Sequence, residues 1–241
     1  MTPAQIFLSN MLSFLVVLTA ACAIGVTQRD RVQWRWLVVA AALFVVHEIA
    51  LDRFLLLPRD PIGTSRWNWT GKALAFLAML AIAHLPAFGR LRTGWTLRQS
   101  ENGRPMTWFA AALVTALIVG LAIAFPTRNA TSDTLIYQLT MPGLDEELFF
   151  RGVFLLALNE AFIGRIRIGG ISVGWGGLLS CALFALVHAL QFKNGEIAFA
   201  ATAFGGTFVP ALLLLWFRER TGSLLLPIVL HNFGNSASYF F

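Results

Sequence analysis

The chain is poor in charged residues. Only 12% of its 241 residues are charged, whereas 57% are hydrophobic and the mean hydropathy is +0.71. An ordinary soluble domain contains about 25% charged residues, and a soluble protein as apolar as this one would expose large hydrophobic patches to water. Intrinsic disorder is excluded as well, because disordered chains contain few apolar and aromatic residues. The composition therefore predicts a protein embedded in a membrane.

Cysteine is also scarce. Cys22 and Cys181 lie in separate apolar stretches and form no CxxC pair. Their spacing indicates neither a disulfide framework nor a cysteine metal site. The net charge of +6 does not indicate nucleic-acid binding, because the basic residues are scattered between apolar stretches and form no dense patch.

Long apolar stretches are abundant instead. A transmembrane helix requires about 20 apolar residues, so eight such helices account for most of the chain. Two of the stretches, about 36–57 and 134–160, contain ionisable residues. The other six are free of Asp, Glu, Lys and Arg: 1–28, 73–89, 105–127, 168–192, 197–217 and 221–241. We predict an all-α, polytopic membrane bundle of about eight transmembrane helices.

No internal repeat or low-complexity linker divides the chain. The prediction is a single integral membrane domain over residues 1–241, with N-terminal helices in 1–133 and motif-bearing helices in 134–241. The distribution of Lys and Arg predicts the orientation, because cytoplasmic loops are enriched in both residues. With the N-terminus outside, eleven basic residues fall in cytoplasmic loops and six on the opposite side. Both termini are therefore expected outside.

The densest ionisable group lies in the fifth stretch, where Asp145 precedes Glu146 and Glu147 and Arg151 follows. Placing an ionisable group in the bilayer costs at least about 2.5–3.5 kcal/mol, so each one requires a reason. Glu147 and Arg151 are four residues apart on one helical face, where a carboxylate and a guanidinium can pair. Glu146 is about 100° further around the helix. It is free to face a cavity and to act as a general base.

Two later stretches carry further polar groups. In one of them, His188 lies four residues after Phe184. In the other, His231 lies four residues before Asn235, on the same helical face. A histidine and an asparagine that converge in this way can donate hydrogen bonds to an oxyanion. Two carboxylates, two imidazoles and an amide on three helices can together activate water.

These motifs resemble those of the CAAX-processing and bacteriocin-processing (CPBP, or Abi) intramembrane proteases, a family that includes the Ras-converting prenyl endopeptidase. The family motifs are EExxxR, FxxxH and HxxxN. In this chain they run from Glu146 to Arg151, from Phe184 to His188 and from His231 to Asn235. The motifs occur in the family's order, on separate helices, and the resemblance covers about residues 140–241.

The resemblance implies a role for each matched residue. Glu146 would activate the hydrolytic water, and His188 would help to hold it. His231 and Asn235 would stabilise the tetrahedral oxyanion, while Glu147 and Arg151 would pair and support the site. The implied mechanism is of the glutamate type and has no cofactor.

Zinc bound by Glu146, His188 and His231 is the alternative, because one glutamate and two histidines can also ligate zinc. The chain lacks the HExxH pattern of helical zinc proteases. A second polar cluster, consisting of His47, Glu48, Asp52 and Arg53, interrupts the second stretch. We interpret it as lying near a helix end or pairing internally; contact with substrate is the other interpretation.

The function expected from these features is an intramembrane endopeptidase. It would cut a membrane-associated protein or peptide near its membrane-embedded or C-terminal tail, most simply in the bacterial cytoplasmic membrane. Two alternatives come from other classes. One is an ion-coupled transporter that uses buried Glu and His, although no paired halves are visible in the sequence. The other is a catalytically inactive scaffold of the same family, although all the motif residues are present.

Overall fold

The computed structural model describes residues 2–52, 57, 58, 60, 65–100, 104–127 and 129–241. Within these residues the chain forms eight helical rods. Seven rods are single α-helices, and the fifth consists of two α-helices joined by a π-helical turn. The bounds are α1 Pro3–Thr27, α2 Trp34–Leu51, α3 Trp69–His84, α4 Arg104–Ala124, α5 Ser132–Glu147, the π-helical turn Leu148–Val153, α6 Phe154–Ala161, α7 Trp175–Ala189, α8 Ala201–Thr221 and α9 Leu225–Ser236.

The predicted all-α membrane bundle is confirmed. Among the described residues, α1, α2, α4 and α8 are long and apolar enough to cross a membrane, and α3 and α7 are shorter apolar helices. Short 3₁₀ helices occupy Arg29–Arg31 and Ala237–Phe240. Many of the large apolar side chains on these helices point outward, where a bilayer rather than water suits them.

Two β-hairpins were not expected, and they shorten the helices predicted over 168–192 and 197–217. Strands Arg165–Ile168 and Ile171–Gly174 pair before α7, and strands Leu190–Lys193 and Glu196–Phe199 pair before α8. Each hairpin has a two-residue turn with positive φ at both positions: Gly169 and Gly170 in the first, Asn194 and Gly195 in the second. This is the backbone of a tight hairpin turn, which favours Gly and Asn.

Local capping marks where several helices begin. Thr2 and Gln5 form a capping box at the start of α1, with Pro3 in the first turn. The side chain of Asn68 accepts the backbone N–H of Gly71 in α3, and Thr131 accepts that of Thr134 in α5. At its other end α8 stops at Gly222, which has a φ of 68°.

The fifth rod lies at the centre of the bundle, where it packs against α2, α3, α7 and α9. Many of the largest fully buried side chains belong to it, among them Phe149, Phe154 and Arg151. Stacked and edge-on rings join Phe149 to its neighbours Phe44, Phe150 and Phe154. The rod that carries the first motif is therefore enclosed at the centre of the bundle that the described residues form.

Hydrogen bonds join loops at each end of the bundle. At one end, the backbone of Gln33 bonds to that of Ala161, and Leu224 bonds to Gly94. These loops hold many of the arginines assigned to the cytoplasmic side. At the other end, the side chain of Gln5 donates to that of Asn194. Thr127 also bonds to Ser238 there, so both termini lie opposite the Arg-rich loops. Residues 90–100 form a loop that begins with turns at 90–94. Arg53, Arg59 and Arg128 of the charge count lie outside the described residues.

Candidate active site

The predicted pair of Glu147 and Arg151 forms, with Arg151 Nη1 3.0 Å from Glu147 Oε1. Both side chains are almost completely buried, at 0% and 1% relative exposure. Directly after Glu147 the helix widens into the π-helical turn, which contains Arg151. At the end of this turn, the Phe154 N–H donates to the carbonyl of Phe149, five residues earlier. A π-helical turn inside an α-helix is uncommon and is frequently found at functional sites.

Side chains from other helices satisfy the backbone of this turn. The Ser180 hydroxyl of α7 donates to the carbonyl of Phe150 at 2.7 Å, and Arg218 Nε of α8 donates to that of Arg151 at 3.2 Å. Gly152 of the same turn packs closely, because an added Cβ would lie 3.2 Å from the Thr93 carbonyl oxygen, a tight contact. The π-helical turn therefore depends on tertiary contacts, since a buried backbone group without a partner is costly.

Glu147 has a second partner that the sequence did not indicate. His231 Nδ1 lies 2.7 Å from the same Oε1 atom that binds Arg151. A carboxylate only accepts hydrogen bonds, so Nδ1 carries the proton and donates it. The opposite ring nitrogen, Nε2, then points towards Glu146, with its Oε2 atom 3.7 Å away. Glu147 thus orients the imidazole of the third motif as well as the arginine of the first.

Phe184, which begins the second motif, packs at the centre of these groups. The Arg151 guanidinium lies 4.3 Å from the centroid of its ring, a cation–π contact. The ring centroids of His188 and His231 are 4.7 Å and 6.0 Å away. His188 Nδ1 donates to the Phe184 carbonyl at 2.7 Å, so its Nε2 atom is available to other groups. The phenylalanine ring therefore packs against the Arg151 guanidinium and both imidazoles at once.

Glu146 faces the cavity but also has a cationic partner, which its position on the helix did not indicate. Lys72 Nζ of α3 lies 2.7 Å from Glu146 Oε1 and 2.8 Å from Asp145 Oδ2. The lysine is 74 residues away in the chain, so the spacing of the motifs contains no signal for this contact. A weak signal existed in the lysine itself, because a cation in an apolar helix requires a buried partner.

The second polar cluster also pairs internally, as interpreted, and it continues the same network. His47 Nε2 bonds to Asp145 Oδ1 at 3.1 Å, and His47 Nδ1 lies 3.5 Å from Glu48. Glu48 in turn accepts a hydrogen bond from the Asn10 side chain of α1. Buried polar contacts therefore extend from α1 through α2 and α3 to Glu146. Asp52 has a partner as well, and Arg53 lies outside the described residues.

Asn232, next to His231, has a structural position. Its Oδ1 accepts the N–H of Gly143 at 2.7 Å, and its Nδ2 donates to the Thr140 carbonyl at 3.1 Å. These backbone groups flank Pro142, which lacks an N–H and interrupts the helical hydrogen bonds of α5. Asn232 thus joins α9 to α5 and helps to place its neighbour His231 beside Glu147.

Four of the six predicted site residues line one cavity of about 700 Å³: Glu146, His188, His231 and Asn235. The other two, Glu147 and Arg151, are buried behind this wall. Asn235 is exposed and makes no hydrogen bond to another described residue, so its amide is available to a ligand. Lys72 also reaches the cavity. The opposite wall is mainly apolar and is formed by α4 and α8 through Val114, Leu117, Ile118, Leu121, Val209, Pro210, Leu213 and Leu214.

The donor set was tested against the zinc alternative. Within the described part of the chain, no group of three His, Cys, Asp or Glu side chains has the arrangement to hold a metal ion. Nε2 of His188 and of His231 could each ligate a metal, but Glu146 Oε1 is already bonded to the Lys72 ammonium. A metal would have to share this carboxylate with a fixed cation, so the arrangement fits zinc poorly.

Comparison with known proteins shows what the motif-bearing part of the chain is similar to. Residues 129–237 match the family model described as Type II CAAX prenyl endopeptidase Rce1-like. All three motifs fall within this range, so the resemblance to the CAAX-processing intramembrane proteases is confirmed. The matched region, a little less than half of the chain, is therefore similar to the CAAX-type proteases.

The chain is also similar to a curated protein of a bacterium. An uncharacterized 24.3 kDa protein of Escherichia coli is 26% identical over 166 residues. The alignment covers 62% of this chain and 65% of that protein, slightly less than two thirds of its length. No solved structure gave a significant match.

Proposed function

We propose that this protein is an intramembrane endopeptidase that hydrolyses a peptide bond by means of water activated by Glu146. The observation that carries the proposal is the shared cavity wall, on which Glu146, His188, His231 and Asn235 meet from three helices. A base, a second polar contact for water and two potential oxyanion donors are the parts that peptide hydrolysis requires. The apolar opposite wall suits a membrane-embedded substrate segment.

In the proposed reaction, Glu146 takes a proton from a water molecule that His188 helps to hold. The water oxygen attacks the peptide carbonyl carbon and forms a tetrahedral oxyanion. Collapse of this intermediate breaks the C–N bond, and the proton held by Glu146 passes to the departing amine. Glu146 Oε2 and His231 Nε2 are 3.7 Å apart, close enough for both to contact one water molecule.

Asn235 and His231 would stabilise the oxyanion in different ways. The Asn235 amide donates whatever the charge state of the site, because it always carries hydrogens. His231 already donates Nδ1–H to Glu147, so it can donate from Nε2 only when the ring holds both protons. Glu147 and Arg151 would act as supports, with Glu147 holding the imidazole and Arg151 neutralising Glu147.

We propose a metal-free mechanism, because Lys72 occupies one oxygen of Glu146, the only carboxylate among the described residues that line the large cavity. The purified protein, treated with a chelator and analysed for metals, is expected to keep its activity. Stoichiometric zinc, together with activity that is lost on chelation and restored by zinc, would contradict this part of the proposal.

The substrate proposed is a membrane-associated protein or peptide whose tail enters the apolar side of the cavity. The matched family model is described as a CAAX prenyl endopeptidase, which suggests a prenylated cysteine followed by three residues. Two quenched fluorescent peptides of identical sequence, one farnesylated and one not, would separate the possibilities. Cleavage of the farnesylated peptide alone would assign the class. Equal cleavage of both would indicate that an apolar tail of any kind is sufficient.

We also propose that both termini lie outside the cytoplasm, since many of the arginines cluster at the opposite end of the bundle. Single cysteines at residue 97 and at residue 130 test this. A membrane-impermeant thiol reagent applied to intact cells should label position 130 and leave position 97 unlabelled. The reverse pattern would invert the topology.

The decisive experiment for the activity compares the membrane proteomes of cells that express the wild type, Glu146→Gln or the control Glu160→Gln. Glu160 is a partly exposed carboxylate paired with Arg92 and lies outside the cavity. A precursor should accumulate with Glu146→Gln alone. Identical proteomes in all three strains, together with no cleavage of either peptide, would overturn the proposal. Altered ion flux in such strains would favour a transporter.

A further inference from the structure

Lys72 is a largely enclosed charged residue that the motifs do not include. It lies in the first turns of α3, outside residues 129–237, and its side chain is only 12% exposed. It lines both the large cavity and a smaller one of about 170 Å³ beside Asn10, Glu48 and Asn68. A lysine side chain is long and flexible, but the ammonium group of this one is bonded to two carboxylates.

The two oxygens of Glu146 have different surroundings because of this lysine. Oε1 accepts a hydrogen bond from Lys72 Nζ at 2.7 Å. Oε2 points towards His231 Nε2 at 3.7 Å. The ammonium therefore decides which oxygen faces the imidazole and the cavity. It also restricts rotation of the carboxylate.

The ammonium group of Lys72 is also held by a second carboxylate, that of Asp145. Lys72 Nζ lies 2.8 Å from Asp145 Oδ2, and the other oxygen of Asp145 bonds to His47 at 3.1 Å. The His47 ring stacks on Phe149 with centroids 4.0 Å apart, which sets the ring plane. Three helices thus contribute to the position of one ammonium group, and buried charged hydrogen bonds of this kind are strong and directional.

We propose that Lys72 is a positioning residue for the reaction: it holds Glu146 Oε1 so that Oε2 is presented to the hydrolytic water. Asp145 and His47 hold the lysine in place. The N-terminal helices are then part of the catalytic machinery and not only a scaffold. This inference rests on the proposed function of Glu146 as the base.

The first test compares Lys72→Met and Lys72→Arg with the wild type in cleavage of the farnesylated peptide. Misplacing a reacting group by about 1 Å can cost about 10²-fold in rate. Lys72→Met should therefore lower kcat by about 10²-fold with little change in KM, and Lys72→Arg should recover part of kcat. The control is Lys193→Met, which removes a lysine exposed on the second hairpin and should leave both constants unchanged.

Lys72→Met also strands Asp145, so loss of folded protein could imitate the expected result. A chemical test avoids this problem because it compares one folded protein before and after modification. Lys72→Cys is prepared in a background that carries Cys22→Ala and Cys181→Ala. Aminoethylation of the new thiol restores an ammonium at nearly the length of lysine. Methylthiolation adds an uncharged group at the same atom.

With modification verified by mass spectrometry, aminoethylation should restore most of the lost kcat and methylthiolation should not. Equal recovery by both reagents, or by neither, would overturn the role of Lys72. Failure of the underlying mechanism is recognised separately, because Glu146→Gln would then cleave as fast as the wild type. If Glu146→Gln is inactive while Lys72→Met keeps the wild-type kcat, only the inference about Lys72 is wrong.

Discussion

Two adjacent carboxylates of the fifth rod have opposite environments. Glu147 is fully buried and shares one oxygen between Arg151 and His231. Glu146 faces a cavity, where Lys72 holds one oxygen and the other is directed towards His231 Nε2. The helical rotation of about 100° between neighbours produces this separation. One short motif therefore places one carboxylate in the interior and the next on the cavity wall.

The comparison predicts that the two sides fail in different ways. Damage on the cavity side should remove activity from a folded protein, whereas damage on the buried side should remove the folded protein itself. A substitution that leaves a buried charge without its partner lowers the free energy of unfolding substantially. A group that faces a hydrated cavity can be replaced at little cost to folding.

The largest effect is expected for Glu146→Gln. The amide keeps the shape of the side chain but cannot take a proton from water, so kcat should fall by about 10⁴-fold, the upper range for general-base catalysis. The thermal unfolding midpoint in detergent should stay close to that of the wild type. Glu160→Gln serves as the matched control for kcat. Wild-type kcat in Glu146→Gln would remove the distinction between the two carboxylates.

Arg151→Met should act mainly on stability. It leaves Glu147 buried with His231 as its partner and removes the cation over Phe184, so a loss of about 3–5 kcal/mol is expected. The loss is measured by denaturant unfolding in detergent. The double variant Arg151→Met with Glu147→Gln should recover part of it. Arg165→Met breaks a more exposed pair with Glu219 and should cost at most about 1 kcal/mol. Equal losses for both arginines would contradict the assignment of a buried support.

Asn235→Ala should reduce kcat by about 10²–10³-fold, the usual cost of one oxyanion donor, with little effect on folding. Asn232→Ala, three residues away, is the informative partner. Asn232 is bonded to the backbone of α5 on both sides of Pro142, so its loss should lower stability more than kcat measured on the folded fraction. Identical behaviour of the two variants would show that Asn235 is structural as well.

The smallest effect is expected for Ser180→Ala. The change leaves the Phe150 carbonyl of the π-helical turn without its 2.7 Å partner, at a cost of about 1–3 kcal/mol. Thr19→Ala, at an exposed position of α1, removes a hydroxyl that bonds within its own helix. Its loss of stability should be smaller. Unfolding measurements on both variants provide the check. A Ser180→Ala variant as stable as Thr19→Ala would mean that the turn does not depend on α7.

Much of the architecture follows from local patterns. Long apolar stretches predicted eight helices, and a spacing of four residues predicted the ion pair of Glu147 and Arg151. The two hairpins also had local signals, the dipeptides Gly169-Gly170 and Asn194-Gly195. Apolar residues nevertheless continue through the strands on both sides of these dipeptides. Hydropathy alone cannot distinguish an apolar strand from the end of an apolar helix.

The sequence by itself determined that the chain is a membrane bundle and which motif residues are available for chemistry, because composition, periodicity and short spacings are local properties. Only the tertiary structure decided the partners of those residues. Lys72 reaches Glu146 across 74 residues, and His231 reaches Glu147 across 84. The π-helical turn depends in the same way on Ser180 and Arg218 from other helices. Buried charges in a bilayer must find partners wherever packing places them, and which helices pack together is not written in any local pattern.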